Sequence, residues 1–220
     1  MKPVAVVTGG AGALGRAVVR SFDEHGYEVH LSAVGEEERA RYEGPGIVHV
    51  ADLSSLKGAK KFAESVGGQV KCLACIAGGF DMVKIADASE KDFEKMISIN
   101  AKTAFYSLSA FHEGLKGGAP SSVILTGAQA YEGRGGMAIY AGSKAFVVSL
   151  TRSASQEWKK DRIRVNAILP DAIDTPANRS AMPNADFEKW AKPEEIADVI
   201  LYLCSDEAKL ITGEAIRVGR

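Results

Sequence analysis

The chain has 220 residues, of which 46% are hydrophobic, and its 27 basic and 28 acidic side chains leave a formal net charge of −1. The length and hydrophobic content indicate one globular domain over residues 1–220 with a substantial core. The nearly balanced charge excludes an electrostatic field that would attract nucleic acid or an anionic membrane. The N-terminus has no signal-peptide layout, and no apolar run approaches the roughly 18 residues of a membrane span. We therefore expect a cytoplasmic protein with neither nucleic acid nor membrane as a partner.

Short apolar, β-branched runs alternate along the chain with longer segments of helical period. This alternation predicts an α/β fold in which a parallel sheet is covered by helices on both faces. A long polar stretch, 170–192, is predicted to be a lid or binding segment. Strands are predicted at 3–8, 27–33, 46–50, 70–76, 121–126, 163–169 and 214–218. Helices are predicted at 13–25, 55–66, 89–113, 138–160 and 193–205.

The three cysteines include a C-x-x-C pair, Cys72 and Cys75, inside the fourth predicted strand. Residues three apart on a strand point to opposite faces, so the two thiols are expected to diverge. Neither a redox pair nor a metal site is predicted.

A glycine cluster joins the first predicted strand to the first predicted helix. Such a turn lets backbone N–H groups and the positive end of the helix dipole approach a pyrophosphate. The sequence therefore predicts dinucleotide binding at Gly9, Gly12, Ala13, Leu14 and Gly15. Asp52 and Leu53 follow the third strand, where Asp52 is either a partner for the adenine amino group or part of a helix N-cap; the sequence leaves both open.

Tyr140 and Lys144 are separated by one helical turn and lie on one face of a predicted helix. An ammonium held close to a phenol favours the phenolate and lowers the phenol pKa from its usual value of about 10. A phenol tuned in this way can donate and recover a proton during catalysis. Taken alone, the pair also fits an ordinary amphipathic helix.

The glycine cluster, Ala77-Gly78, Asn100 and Tyr140-x-x-x-Lys144, in this order, resemble the motifs of short-chain dehydrogenases/reductases. The similarity covers essentially the whole chain. It implies a single-domain, Rossmann-type, doubly wound parallel sheet of about seven strands. It also implies a nicotinamide cofactor, a small-molecule substrate, and a homodimer or homotetramer formed through helices 89–113 and 138–160.

The resemblance also implies roles for individual residues. Tyr140 would donate a proton, Lys144 would hold the nicotinamide ribose and lower the pKa of Tyr140, and Asn100 would help to position a water. Outside the resemblance, an asparagine in an apolar helix is more often a structural hydrogen-bonding residue. The family pattern places further cofactor contacts at Ala77, Gly78, Gly79, Pro170, Ile173 and Thr175.

Within that family, the stretches 9–15, 77–80, 125–130 and 174–190 resemble dihydropteridine reductases, which reduce quinonoid dihydropterin with a nicotinamide cofactor. Gly127 stands where the family usually has a serine that hydrogen-bonds the substrate carbonyl. Loss of such a donor disfavours reduction of simple ketones. Gln129 and Tyr131 can supply a polar contact instead, and we expect the substrate pocket beneath the loop 171–192. Its candidate walls are Trp190, Phe80, Tyr131 and Met182.

Two other functions remain open from the sequence. One is reduction of another carbonyl, such as a 3-oxoacyl thioester or a sugar ketone. The other is a catalytically silent dinucleotide-binding regulator, which the missing serine favours. The joint presence of Tyr140, Lys144 and Asn100 argues against the silent regulator.

The cofactor prediction rests on the end of the second strand, where NAD-dependent enzymes usually carry an acid. Here Ala33 stands near that position, and no acid follows before Glu36. Ser32 and three arginines, Arg16, Arg39 and Arg41, are candidates to surround a 2′-phosphate. The sequence therefore favours NADP(H) over NAD(H), with a solvated charged segment over 36–41 as the alternative.

Overall fold

A computed structural model describes residues 1–219, which build one seven-stranded sheet in the order β3-β2-β1-β4-β5-β6-β7. Every ladder is parallel. The strand order reverses between β1 and β4, which opens a crevice at the carboxyl edge of the sheet. The predicted single-domain α/β fold is confirmed. The strands are β1 (Val4–Thr8), β2 (Glu28–Ala33), β3 (Ile47–Val50), β4 (Val70–Cys75), β5 (Ser121–Thr126), β6 (Ile163–Pro170) and β7 (Ala215–Val218).

Helices cover both faces because successive strand residues point to opposite sides. One core packs α1 and α8 against Ala5 and Val7 of β1, and the other packs α3, α5 and α6 against Val6 of the same strand. The helices are α1 (Ala13–Glu24), α2 (Glu36–Ala40), α3 (Leu56–Val66), α4 (Glu90–Met96), α5 (Thr103–Gly117), α6 (Ala138–Glu157), α7 (Pro176–Ala181) and α8 (Pro193–Cys204).

The helix predicted near 89–113 is present and runs without a break from Glu90 to Gly117, but it is not regular along its length. A π-helical segment, Ile97–Lys102, lies between α4 and α5 and contains Asn100. π-Helical insertions widen a helix locally and are frequent at functional sites. The hydrophobic pattern does not reveal this insertion because the apolar face continues through it.

Two short helices, α2 and α7, were not predicted. Helix α7 begins with Pro176 in its first turn, and the side chain of Thr175 accepts a hydrogen bond from the N–H of Asn178 at 3.2 Å. Helix α2 carries three acids in its first turn and no buried residue. Both helices are too short to produce a periodic hydrophobic pattern, so the sequence carries only the residues at their N-termini as helix signals.

The thiols diverge as predicted, because Cys72 belongs to one core cluster and Cys75 to the other. Within the described part of the chain, no group of His, Cys, Asp and Glu is arranged to hold a metal ion. No helix in residues 1–219 has the length and apolarity needed to cross a membrane.

Candidate active site

The β1–α1 turn is closed by two backbone approaches that only glycine permits. A Cβ on Gly15 would lie 2.2 Å from the carbonyl oxygen of Gly9. Gly9 has φ +64°, and a Cβ there would lie 2.8 Å from the Cα of Ala77. Gly12 caps α1 without a side-chain hydrogen bond. The first amides of α1 therefore have no partner inside the helix and form an anion-binding end.

This turn forms one side of a pocket of about 440 Å³. Its size and its glycine cradle fit the adenosine and pyrophosphate part of a dinucleotide. Ala33 is buried and does not line it. The predicted residues that do are Gly9, Gly12, Ala13, Leu14, Gly15, Ser32, Asp52, Leu53, Ala77 and Gly78. The sequence reasoning missed Val34, Glu38, Ala51, Ser54, Ile76, Ile99 and Thr103.

Asp52 performs a local structural role with one of its oxygens. Oδ1 accepts hydrogen bonds from the backbone N–H and the hydroxyl of Ser54, at 3.0 and 2.6 Å. The Ser54 hydroxyl is the main reason why the pKa of Asp52 lies below its usual value. The N-cap of α3 is Ser55. Asp52 thus orders the turn before the helix while it lines the pocket.

Lys144 is buried in the protein, and its Nζ donates a hydrogen bond to the carbonyl oxygen of Thr126 at 2.8 Å. Burial lowers the pKa of Lys144 to about 8. The same cause raises the pKa of Tyr140 to about 12. The predicted lowering of the tyrosine pKa is therefore wrong, because the ammonium points to Thr126 and lies 6.0 Å from the phenol ring centroid. At neutral pH the phenol is protonated, as a proton donor requires.

Phe80 packs edge-on against the ring of Tyr140, with centroids 4.9 Å apart and an interplanar angle of 89°. Phe80 remains 39% exposed beside the phenol, and its predicted role as a wall of the substrate pocket stays a prediction. Its loop is fixed by the ion pair between Asp81 and Lys95 at 2.7 Å. The same loop exposes Met82, which gives this side of the phenol an apolar surface.

Asn100 ties this loop to the helix that carries Tyr140. Its Oδ1 accepts a hydrogen bond from the N–H of Gly79, and its Nδ2 donates to the carbonyl of Gly79, both at 3.0 Å. Nδ2 also donates to Oγ of Ser143 at 3.1 Å, and that hydroxyl donates to the carbonyl of Tyr140 at 2.7 Å. The Asn100 side chain thus connects the loop at Gly79 to α6 through hydrogen bonds, and its predicted role in positioning water stays a prediction.

Gly127 faces packed side chains. A Cβ on it would lie 2.5 Å from Cδ2 of Leu169, so a serine here requires the buried side chain of Leu169 to move. Gln129 and Tyr131, which were predicted to replace the missing serine, both have hydrogen-bond partners within the protein. Nε2 of Gln129 lies 3.5 Å from the carbonyl of Val218, and the hydroxyl of Tyr131 bonds the neighbouring Glu132 at 3.0 Å.

The loop after β6 is built largely from its own contacts. Ile173 pairs with Ala191, and Thr175 caps α7. Trp190 is 8% exposed and packs edge-on against Phe187 in the core of this loop, and its role as a wall of the substrate pocket stays a prediction. Pro170 ends β6 and is buried, and Met182 is half-exposed at the end of α7.

A family model described as enoyl-(acyl carrier protein) reductase matches residues 9–219. The chain belongs to the short-chain dehydrogenase/reductase family. A tropinone reductase homologue of Arabidopsis thaliana is 27% identical over 239 residues, which cover 97% of this chain and 77% of the relative. A 3-oxoacyl-[acyl-carrier-protein] reductase of Thermotoga maritima is 28% identical over 234 residues, covering 98% of this chain and 95% of the relative.

A solved structure of a short-chain dehydrogenase/reductase described as glucose/ribitol dehydrogenase, from Brucella melitensis, is similar with a TM-score of 0.89 and 30% identity. The match covers 99% of this chain and 97% of that one. These similarities support an oxidoreductase with a nicotinamide cofactor. They do not confirm the closer resemblance to dihydropteridine reductases.

Restoring the family serine through Gly127→Ser is expected to destabilise the protein by about 1–3 kcal/mol, because the new side chain overlaps Leu169. It is not expected to increase the rate of ketone reduction. Chemical denaturation and kcat/KM for a simple ketone check both points. The double change Gly127→Ser with Leu169→Ala is the control for overlap, and a faster ketone reduction in Gly127→Ser alone would contradict the packing explanation.

The buried ammonium predicts a characteristic dependence of stability on pH. Lys144 has a pKa of about 8 in the folded protein and 10.5 as its ordinary value, so the unfolded chain binds this proton more tightly. Lys144 is therefore expected to contribute a rise in the free energy of unfolding as pH increases from about 8 to 10. Tyr140 and Cys75 contribute in the opposite direction, above about pH 10 and pH 9 respectively, because burial raises the pKa of each to about 12 and the unfolded chain loses these protons first.

The variant Lys144→Met is expected to lack this contribution, so the difference in free energy of unfolding between the unchanged protein and the variant grows from pH 8 to 10, measured by urea denaturation at each pH. Lys57→Met, which removes an exposed lysine on α3, is the matched control and is expected to differ from the unchanged protein by a constant amount. An unchanged pH dependence in Lys144→Met would show that the ammonium is not the source.

Proposed function

We propose that the protein is an NAD(P)H-dependent reductase of a conjugated imine or carbonyl compound, with quinonoid dihydropteridine as its preferred substrate and Tyr140 as proton donor. The observation that carries the proposal is a half-buried, protonated phenol with an aromatic neighbour, Phe80, and no serine hydroxyl at Gly127. A substrate that accepts hydride into a conjugated system depends less on that missing donor than a simple ketone does.

Different residues of the chain serve cofactor binding and proton transfer. The first amides of α1 would hold the pyrophosphate, and Asp52 would contact the adenine. Lys144 would bind the nicotinamide ribose, and the loop of Ile173 and Thr175 would hold the nicotinamide carboxamide. When bound, the cofactor would supply the hydride. The hydroxyl of Tyr140 donates its proton to the substrate heteroatom. The depressed pKa of Lys144 allows its ammonium to return a proton to the phenolate near neutral pH.

Charge around the carboxyl edge of the sheet supports a neutral substrate. Arg134 pairs with Asp171 at 3.2 Å, and Arg217 pairs with Glu132 at 2.9 Å. With these arginines already paired, the exposed apolar side chains of Phe80 and Met82 are the more prominent recognition surface. A planar, uncharged ring fits such a surface better than an acidic carrier protein, which needs unpaired cations for docking.

The second candidate is reduction of a 3-oxoacyl thioester. It is favoured by the similarity to the Thermotoga maritima 3-oxoacyl-[acyl-carrier-protein] reductase. It uses the same Tyr140 and Lys144, so substrate comparison alone separates the two.

Anaerobic assays with quinonoid dihydropterin, a 3-oxoacyl thioester and plain ketones test the proposal. We expect the highest kcat/KM for the pterin. Tyr140→Phe is expected to lower kcat by about 10²–10⁴-fold because the proton donor is lost, while the Kd of the cofactor stays nearly constant. Tyr202→Phe, at an exposed tyrosine on α8, is the matched control and is expected to retain activity.

Faster turnover of the thioester would replace the first candidate by the second. Tight cofactor binding with no turnover of any substrate would point to a silent dinucleotide-binding regulator. Equal activity of Tyr140→Phe and the unchanged protein would remove Tyr140 from the reaction.

Assembly into a homodimer or homotetramer through α5 and α6 is part of the proposal. Phe105 on α5 and Phe146 on α6 are 47% and 43% exposed, which supports contact with another subunit. Light scattering is expected to give a dimer or tetramer mass, and the double change Phe105→Glu with Phe146→Glu is expected to give a monomer. Phe93→Glu, on α4, is the exposed-phenylalanine control. A monomeric unchanged protein would contradict the assembly.

A further inference from the structure

The end of β2 meets the cofactor pocket at Ser32 and Val34. Ser32 is buried, and its hydroxyl oxygen accepts a hydrogen bond from the N–H of Gly9 at 2.9 Å. It therefore serves the glycine turn and is a poor ligand for a phosphate. Val34 is 81% exposed, and its N–H donates to Oε2 of Glu38 at 2.7 Å.

The carboxylate of Glu38 lies at the pocket beside the end of β2, where the strand residues themselves include no acid. It is the third residue of α2 and reaches back past the N-cap, Gly35, in the manner of a capping box. The hydrogen bond from the N–H of Val34 involves only Oε2 of Glu38. Glu38 is half-buried and lines the pocket, and across residues 1–219 no ion pair is recorded for it. Its other oxygen is free to accept a hydrogen bond from a ligand.

The arginines expected around a 2′-phosphate are engaged elsewhere. Nε of Arg16 donates to the carbonyl of Ala11 at 2.7 Å, and its guanidinium lies over the ring of Tyr42. Arg39 and Arg41 pair with Glu36 and Glu37, the two exposed acids of α2. None of the three arginines lines the pocket, whose charged lining groups in the described chain are the carboxylates of Glu38 and Asp52.

We infer that Glu38 makes this pocket select NAD(H) over NADP(H). Its free oxygen accepts a hydrogen bond from an adenosine ribose hydroxyl, and the same carboxylate repels a 2′-phosphate at that position. The preference for NADP(H) drawn from the sequence is thereby reversed, since it rested on arginines that the fold directs away. The inference rests on the proposed function only in requiring that the pocket hold a nicotinamide dinucleotide.

Binding without turnover is the direct test. Isothermal titration calorimetry with NADH, NADPH, 5′-AMP and adenosine 2′,5′-bisphosphate measures the adenosine end without any substrate. We expect the Kd for each 2′-phosphorylated ligand to exceed that of its partner by about tenfold or more at low salt. The ratio is expected to shrink as salt is added, because the repulsion is screened.

Glu38→Gln is expected to reduce the ratio to about threefold or less while the protein remains folded, since the amide no longer repels a phosphate. Glu36→Gln is the matched control, because it makes the same change of charge on the same helix but removes a carboxylate that pairs with Arg39. That control is expected to keep the ratio of the unchanged protein.

Tighter binding of NADPH than NADH by the unchanged protein would overturn the inference. So would an equal loss of selectivity in the two glutamine variants, which would assign the effect to net charge. A wrong substrate assignment leaves these binding ratios intact, whereas failure to bind any dinucleotide would reject the proposed function as well.

Discussion

The ammonium group of Lys144 is buried inside the protein, and its burial constrains the polar groups that surround it. A buried cation is costly unless it is hydrogen-bonded, and here the carbonyl of Thr126 accepts that bond. The contact joins α6 to the end of β5. Gly78 lies so close that an added Cβ would be 3.3 Å from Nζ of Lys144 and 2.7 Å from Oδ1 of Asn100. The end of β4, the π-helical segment and α6 therefore meet at one point.

The site has two ends with different electrostatics. At the reacting end, burial holds Tyr140 in its protonated form and makes the ammonium of Lys144 easier to deprotonate. At the adenosine end, the lining charges are acidic, because α2 turns Glu38 toward the pocket and pairs its arginines with Glu36 and Glu37. In the proposed function, the chemistry of the reaction and the choice of cofactor would thus be set by different elements of the fold.

Much of this was readable from the sequence. Alternating apolar runs predicted all seven strands, and the glycine cluster with Tyr140 and Lys144 predicted the site. Three features were not readable. The π-helical segment at Asn100 leaves the apolar pattern intact, the carboxylate of Glu38 enters the pocket only because a five-residue helix folds back, and the direction of the tyrosine pKa depends on where the ammonium points. The first two are local irregularities that the hydrophobic pattern does not encode, and the third depends on a contact between α6 and the end of β5.

Burial raises the pKa of the Tyr140 phenol above its ordinary value. An ultraviolet difference titration of tyrosinate, comparing the unchanged protein with Tyr140→Phe, measures this pKa directly in the absence of cofactor and substrate. We expect the signal assigned to Tyr140 to appear only toward pH 12 or on unfolding. A Tyr140 signal that titrates below the ordinary value of about 10 would contradict it.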